Sequence, residues 1–163
     1  KNLISISLRD KLKIKKNLEL KLVNYNRINP EHKNLKYKFI LKNLSKVDNT
    51  KTDIALCSKG KILETGTSNI IFIKNNKYFS PINRFYKGVN LKFLEKKINI
   101  KKTNIKIKNL NQFEEILLVG SGKGIATTKS IKLLKWKRKS LNAFKRINLI
   151  YNKEIENNKE YVF

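Results

Sequence analysis

The stretch that decides the fold of this chain is residues 63–81, L-E-T-G-T-S-N-I-I-F-I-K-N-N-K-Y-F-S-P. An apolar strand ends at the acid Glu64, and a tight polar turn follows at residues 65–69. The remainder is typical of a β-hairpin, with Asn75-Asn76 between two short strands. A carboxylate placed where a strand enters a Gly/Ser/Asn turn is held firmly, and it is not surrounded by apolar groups. We therefore predict that Glu64 stays charged and meets a partner.

This stretch resembles the signature of the class IV, or fold-type IV, pyridoxal-phosphate enzymes, which is E-x-x-x-S-N, a hydrophobic-Phe pair, a short hairpin and Pro. The matching residues are Glu64, Ser68, Asn69 and Pro81, with Ile71-Phe72 one residue later than the usual hydrophobic-Phe pair. The family includes branched-chain and D-amino-acid aminotransferases and aminodeoxychorismate lyase. The resemblance implies a mixed α/β fold, namely the strand-rich large domain of the D-amino-acid aminotransferase-like fold with packed helices.

The charge of the chain invites a nucleic-acid interpretation, because 38 Lys and Arg face 12 Asp and Glu and leave a net charge of +26. Only five of the 38 are Arg, the residue favoured for contacts with bases and phosphates. The lysines are spread evenly, and abundant Lys, Asn and Ile are what an AT-rich genome encodes at permissive surface positions. We therefore expect no specific nucleic-acid binding.

The rare residue types of the chain limit which kinds of site it can contain. The one cysteine, Cys57, excludes an internal disulfide, is expected in a buried strand, and favours a reducing, cytoplasmic location. The one histidine, His32, lies in a predicted turn, so no metal site is expected. No apolar run approaches the roughly 18 residues of a membrane span, so no membrane contact is expected.

The family resemblance assigns a catalytic lysine to the run N-L-K-Y-K-F-I-L-K-N-L at residues 34–44. In the family, a lysine that precedes an apolar helix forms a Schiff base with the cofactor. Lys36 matches that position, and Lys38 is the nearest rival. The chemistry requires an amine whose pKa is lowered by burial or by a nearby cation.

Two further segments resemble the phosphate-binding elements of the family. Gly88, Val89 and Asn90 precede a helix predicted over 91–98, and backbone N–H groups at such a position bind anions. They resemble the family's G-[IV]-T element, with Asn in place of Thr.

The second segment, G-S-G-K-G at residues 120–124, follows an apolar strand. It is not a nucleotide-binding P-loop, because that motif needs Gly at the position of Leu117 and Ser or Thr at the position of Gly124. It resembles the family's T-G-T-A element, in which Gly120 and Ser121 would hold the phosphate.

Other segments are predicted from alternation and turn residues. Strands are predicted over 4–8, 18–28, 53–58, 61–64, 100–108 and 125–131, and a closing helix over 136–151 in which Trp136 is a core or interface anchor. The polar tail 152–163 is expected to fray.

The resemblance implies a C-terminal domain that binds pyridoxal 5'-phosphate (PLP) over residues 1–151, without the N-terminal domain of the family. It implies that Lys36 is catalytic, that Glu64 binds the pyridine N1–H, and that Ser68, Asn69 and the two phosphate-binding segments contact the cofactor. The expected function is that of an aminodeoxychorismate lyase of folate biosynthesis, acting on an amino-acid-like substrate as a homodimer. The alternatives are a branched-chain or D-amino-acid aminotransferase and a basic binding module without catalysis.

Overall fold

The computed structural model describes residues 16–32 and 36–157 of the chain. The strand predicted over 4–8 lies outside these residues. In the described part, nine strands form one sheet, flanked by three α-helices and two short 3-10 helices. The strands are β1 (Asn17–Asn24), β2 (Thr52–Ser58), β3 (Lys61–Thr65), β4 (Asn69–Lys74), β5 (Lys77–Pro81), β6 (Ile100–Thr103), β7 (Glu115–Gly120), β8 (Gly124–Ile131) and β9 (Trp136–Lys137). The helices are α1 (Lys38–Leu44), α2 (Val89–Lys97) and α3 (Asn142–Asn157), and the 3-10 turns are Ile107–Gln112 and Lys132–Leu134.

The sheet runs in the order β3-β2-β1-β8-β7-β4-β5-β6, with β9 paired to β8. Strand β1 is parallel to both β2 and β8, β5 is parallel to β6, and the other pairs are antiparallel. The sheet curls so that its two ends, at β3 and β6, meet. Two hydrogen bonds join them: Ile62 N donates to Ile105 O, and Ile107 N donates to Gly60 O, each at 2.9 Å. The mixed, strand-rich class predicted from the sequence is confirmed.

Strand β4 has a buried apolar cluster on each of its faces. Ile70 and Phe72 face one buried cluster, and Ile71 and Ile73 face the other, as the alternation of a strand requires. Helices α2 and α3 cover the second cluster, while Trp136 closes the first. Because both faces of β4 are buried, its sequence is a continuous apolar run instead of an alternating one.

The β4–β5 hairpin predicted from the sequence is confirmed. Asn75 and Asn76 have φ values of 49° and 56°, the left-handed conformation that a two-residue turn needs and that Asn tolerates. Phe72 pairs with Phe79 in the resulting ladder. Among the described residues, no helix is both long and apolar enough to cross a membrane.

Several predicted boundaries are wrong. Strand β1 ends at Asn24 and not at residue 28, because the chain leaves the sheet there. Strand β6 ends at Thr103 and not at residue 108, because the chain passes into a 3-10 turn from Ile107. The closing helix begins at Asn142 and not at Trp136, whose indole N–H instead donates to Phe113 O at 3.0 Å. Helix α3 then continues to residue 157, so its last turns lie in the segment predicted as a tail.

The start of α3 is set by an acid from another element. Glu115, which is 1% exposed in β7, accepts hydrogen bonds from Ala143 N and Phe144 N, each at 2.9 Å. These backbone N–H groups have no partner inside the helix, and a carboxylate also complements the positive end of the helix dipole. Glu115 lies 28 positions before Ala143 and 29 before Phe144, so local sequence patterns do not reveal these contacts.

We expect Glu115→Gln to lower the free energy of unfolding by about 2 kcal/mol, because the amide supplies one acceptor where the carboxylate supplies two. Urea unfolding followed by circular dichroism measures this loss. The matched control is Glu114→Gln, whose partly exposed side chain accepts one long bond from Asn75 N at 3.3 Å, and it should change stability by less than about 0.5 kcal/mol. Equal losses in the two variants would contradict this role for Glu115.

Candidate active site

A cavity of about 220 Å³ lies where four segments meet: the end of β3 with its turn, the start of α2, the β7–β8 turn, and the chain after β1. Eight of the nine residues predicted to bind a cofactor or act in catalysis line it: Glu64, Ser68, Asn69, Gly88, Val89, Asn90, Gly120 and Ser121. These residues are distant in the sequence. The pairing of β4 with β7 places Asn69 opposite Val119, beside the β7–β8 turn, and residues 65–69 connect Glu64 to the same place.

Glu64 is more buried than the sequence predicted, at 4% exposed. Its carboxylate contacts Arg27 Nε at 3.3 Å and accepts from Tyr86 N at 3.3 Å. Burial raises the pKa of Glu64 to about 7, while the Arg27 charge and the Tyr86 N–H oppose that rise. The carboxyl meets a charged partner, as predicted. Its burial was not predicted, and it arises because the neighbouring strands and the loop before α2 enclose the end of β3.

Arg27 is a site residue that sequence reasoning missed. It is 8% exposed, stacks its guanidinium 5.3 Å from the centre of the Tyr37 ring, and donates to Pro30 O at 3.0 Å. Its Nε lies within ion-pair distance of Glu64 but makes no hydrogen bond to it. The available signal was the scarcity of Arg in a Lys-rich chain, since Arg is the cation that proteins prefer for buried pairs.

The turn after Glu64 is held by its own side chains. Thr65 Oγ1 accepts from Ser68 N at 2.7 Å and from Thr67 N at 3.2 Å. Asn69 donates to Tyr86 O at 2.6 Å and accepts from Gly88 N at 2.9 Å. The Asn69 amide therefore ties the start of α2 to the turn, and the turn and the helix end face the same cavity.

The first residues of α2 present backbone more than side chains to the cavity. Gly88 is the N-cap of this nine-residue helix, and Val89 is 68% exposed beside the cavity. Asn90 Nδ2 donates to Tyr151 Oη at 3.1 Å, so its side-chain amide is engaged by α3. What this end of the helix offers a ligand is its unpaired N–H groups, which favour anions.

The β7–β8 turn packs directly on the turn after Glu64. A Cβ atom at Gly120 would lie 2.9 Å from Ser68 Oγ and 3.0 Å from Thr67 O, so only glycine allows this contact. Ser121 and Gly122 are exposed at the rim of the cavity. The two polar turns therefore form one continuous wall.

The predicted catalytic lysine lies beside this cavity but does not line it. Lys36 is exposed and lies two positions before the first residue of α1, so its amine is not buried. Its neighbour Tyr37, the N-cap of α1, lines the cavity and packs against Arg27. Lys38, the rival, is exposed at the first position of α1.

The raised pKa of Glu64 predicts how stability changes with pH. A carboxyl whose pKa is higher in the folded state stabilises the fold most at low pH, and that contribution is lost as the pH rises from about 4.5 to about 7. We expect the wild type to lose up to roughly 3 kcal/mol over this range relative to Glu64→Gln, which cannot ionise. Urea unfolding of both proteins at several pH values measures the difference. If the stability of the wild type relative to Glu64→Gln instead rose with pH, Arg27 would be keeping the carboxyl ionised.

A family model described as class IV amino-transferase matches residues 4–131 of the chain. No curated protein sequence matches it significantly.

Solved structures share the fold of the chain. A putative 4-amino-4-deoxychorismate lyase from Legionella pneumophila subsp. pneumophila str. Philadelphia 1 superposes with TM-score 0.74 and 18% identity, over 88% of this chain and 58% of that one. A branched-chain aminotransferase from Thermoproteus uzoniensis, solved with norvaline, gives TM-score 0.75 and 15% identity, over 95% and 56%. An aminotransferase from Brucella abortus bound to PLP gives TM-score 0.72 and 15% identity, over 92% and 58%. The chain thus spans little more than half the length of these proteins.

Proposed function

The chain belongs to the class IV aminotransferase family, and from that premise we propose that it forms the cofactor-binding part of a PLP-dependent enzyme with an amino-acid-like substrate. One observation carries the proposal. Eight residues chosen from four separate motifs line a single cavity, although they span residues 64–121 of the sequence. A basic binding module would not require a buried acid, a helix N-terminus and two glycine-containing turns around one cavity.

The Glu64 end of the cavity fits the pyridine nitrogen of PLP. A carboxylate offers about four acceptor positions, and in the described part of the chain two contacts, from Arg27 and Tyr86, are made to it. The remaining positions suit an N–H donor. A protonated ring nitrogen there would favour the ionised carboxyl, and so lower the pKa that burial has raised.

The start of α2 and the β7–β8 turn fit a phosphate group. The start of α2 supplies backbone N–H groups at Val89 and Asn90, and the β7–β8 turn supplies the Ser121 hydroxyl and the backbone around Gly122. Hydroxyl and backbone N–H donors at a helix N-terminus are a common way to bind phosphate. The residues present therefore suit both ends of the cofactor.

The roles proposed for this chain follow from these positions. When bound, PLP supplies a ring that withdraws electrons from the substrate carbon. Glu64 would hold the ring nitrogen in its protonated form, and Arg27 would orient the Glu64 carboxylate. Lys36 would bond the cofactor covalently and move the proton at the substrate carbon through its Nζ atom. Tyr37, which follows Lys36 in the sequence and packs against Arg27, would exclude water from that side.

Within the family we favour a lyase that releases pyruvate from 4-amino-4-deoxychorismate to form 4-aminobenzoate, in folate biosynthesis. The short segment between Lys36 and Glu64 and the G-S-G-K-G turn are what we associate with lyase-like members. The similarity to the Legionella protein is in keeping with this assignment. A branched-chain aminotransferase is the second candidate, favoured by the similarity to the Thermoproteus enzyme. A homodimer in the cytoplasm is part of the same proposal.

Substrate tests separate these candidates. Purified protein is saturated with PLP and offered either 4-amino-4-deoxychorismate, with detection of 4-aminobenzoate, or a branched-chain amino acid with 2-oxoglutarate, with detection of glutamate. We expect 4-aminobenzoate. Glutamate as the only product would favour the aminotransferase, and a protein that binds no PLP would overturn the proposed function altogether.

A further inference from the structure

The lysine of the G-S-G-K-G turn has a position that the proposed function does not use. Lys123 is 8% exposed, and its Nζ atom contacts Asp53 Oδ2 and Thr67 Oγ1. In a nucleotide-binding P-loop the lysine reaches the phosphate. Here the ammonium is turned away from the rim and neutralised by a carboxylate.

Asp53 is the other half of this buried pair. It lies in β2, is 1% exposed, and accepts hydrogen bonds from Thr67 Oγ1 at 2.8 Å and Ile54 N at 2.8 Å. Breaking a buried ion pair from one side leaves an unpaired charge and is strongly destabilising. The three side chains Asp53, Thr67 and Lys123, which we call the bracing cluster, therefore have one favoured arrangement.

The bracing cluster joins the two turns that form the cavity wall. Thr67 belongs to the turn after Glu64, and Lys123 belongs to the β7–β8 turn. Thr67 and Gly122 line the candidate active site on one side, and on the other side they line a second cavity of about 270 Å³ that also contains Asp53 and Lys123. The cluster thus lies within the wall, behind the donors proposed for the phosphate.

We propose that Asp53 and Lys123 are positioning residues that set the distance between the two turns and thereby the affinity of the cavity for the phosphate of PLP. The proposal rests on the proposed function. Ser121 and Gly122 directly precede Lys123, so anchoring its side chain fixes the backbone that faces the ligand. A displacement of such donors by a fraction of an ångström weakens binding, because hydrogen bonds depend steeply on distance and angle.

A direct electrostatic role for Lys123 makes a different prediction. If its charge attracted phosphate, removal of the neighbouring negative charge by Asp53→Asn would strengthen PLP binding. If the cluster positions the turns, the same change weakens binding, since the ammonium loses the partner that holds it in place. The two explanations therefore predict opposite signs.

The test compares PLP with pyridoxal, which lacks the phosphate, in equilibrium titrations followed by absorbance. The main variant is the charge-neutral pair Asp53→Asn with Lys123→Met, which keeps side-chain volume and leaves no unpaired buried charge. We expect the ratio of the pyridoxal Kd to the PLP Kd to fall about tenfold. Thr67→Val, which removes only the linking hydroxyl, should shift the ratio in the same direction, and it replaces the main variant if that one does not fold.

Glu115→Gln is the matched control, because it removes a buried charge at α3 and should lower stability without changing the Kd ratio. An unchanged ratio in the charge-neutral variant would overturn the positioning role, as would tighter PLP binding in Asp53→Asn. A wild-type protein that binds PLP and pyridoxal equally would instead overturn the proposed function, and this inference with it.

Discussion

Lys36→Ala should abolish covalent retention of PLP and lower turnover by about 10⁴-fold or more, which is the largest effect expected of a single change in this protein. The reason is that one amine would perform two tasks, bonding the cofactor and moving a proton at the substrate carbon. Turnover is measured with 4-amino-4-deoxychorismate, and retention is measured as cofactor that resists dialysis.

The chain contains many lysines, so the experiment must show which one carries the cofactor. Borohydride reduction makes the bond permanent, and peptide mass spectrometry then locates the modified residue. Lys38→Ala is the matched control, two positions away and also exposed, and it should retain cofactor and turnover. A cofactor found on any lysine other than Lys36 would contradict the assignment.

Glu64→Gln should leave PLP binding partly intact and lower turnover by roughly 10³-fold. The phosphate end of the cavity is unchanged in this variant, so much of the binding remains. A neutral amide no longer favours a proton on the ring nitrogen, and the ring then withdraws electrons less strongly.

The control for this prediction is Glu19→Gln, which removes a partly exposed acid of β1 paired with Lys132 and should leave turnover within a factor of about two. Titration of PLP by absorbance and steady-state kinetics separate the effects on binding and rate. If Glu64→Gln lost binding and kept the rate of the bound fraction, Glu64 would hold the cofactor without tuning it.

Local sequence patterns predicted many elements of this fold. The β4–β5 hairpin followed from Asn75-Asn76 between apolar runs, and α2 followed from the apolar spacing after Gly88. A helix at the place of α1 was implied only by the family resemblance. Elements such as the hairpin and α2 are decided by neighbours a few positions away, whose φ and ψ preferences and side-chain alternation are written into the local chain. The motifs of the cavity were recognisable for the same reason, since each is a short turn next to a strand or helix end.

The start of α3 could not be predicted in this way. Apolar spacing after Trp136 suggested a continuous helix. Trp136 instead belongs to β9 and pairs with Ile131 of β8, and Lys135 has a φ of 53° that a right-handed helix does not tolerate. The helix begins only where Glu115 supplies acceptors for its first N–H groups. That acid belongs to β7, so its role depends on how the helix packs on the sheet.

The sequence by itself determined the family signature, the class of fold and the local turns around the cavity, because these depend on short-range backbone preferences. Only the tertiary structure decided which charged side chains pair with one another around the cavity. Glu64 lies opposite Leu56, and Leu56 pairs with Val23, so the register of three strands brings the end of β1, and with it Arg27, to the carboxylate. The Asp53–Lys123 pair spans 70 positions in the same manner. Ion pairs of this kind depend on strand register and burial, and neither property is encoded by the residues next to the charges.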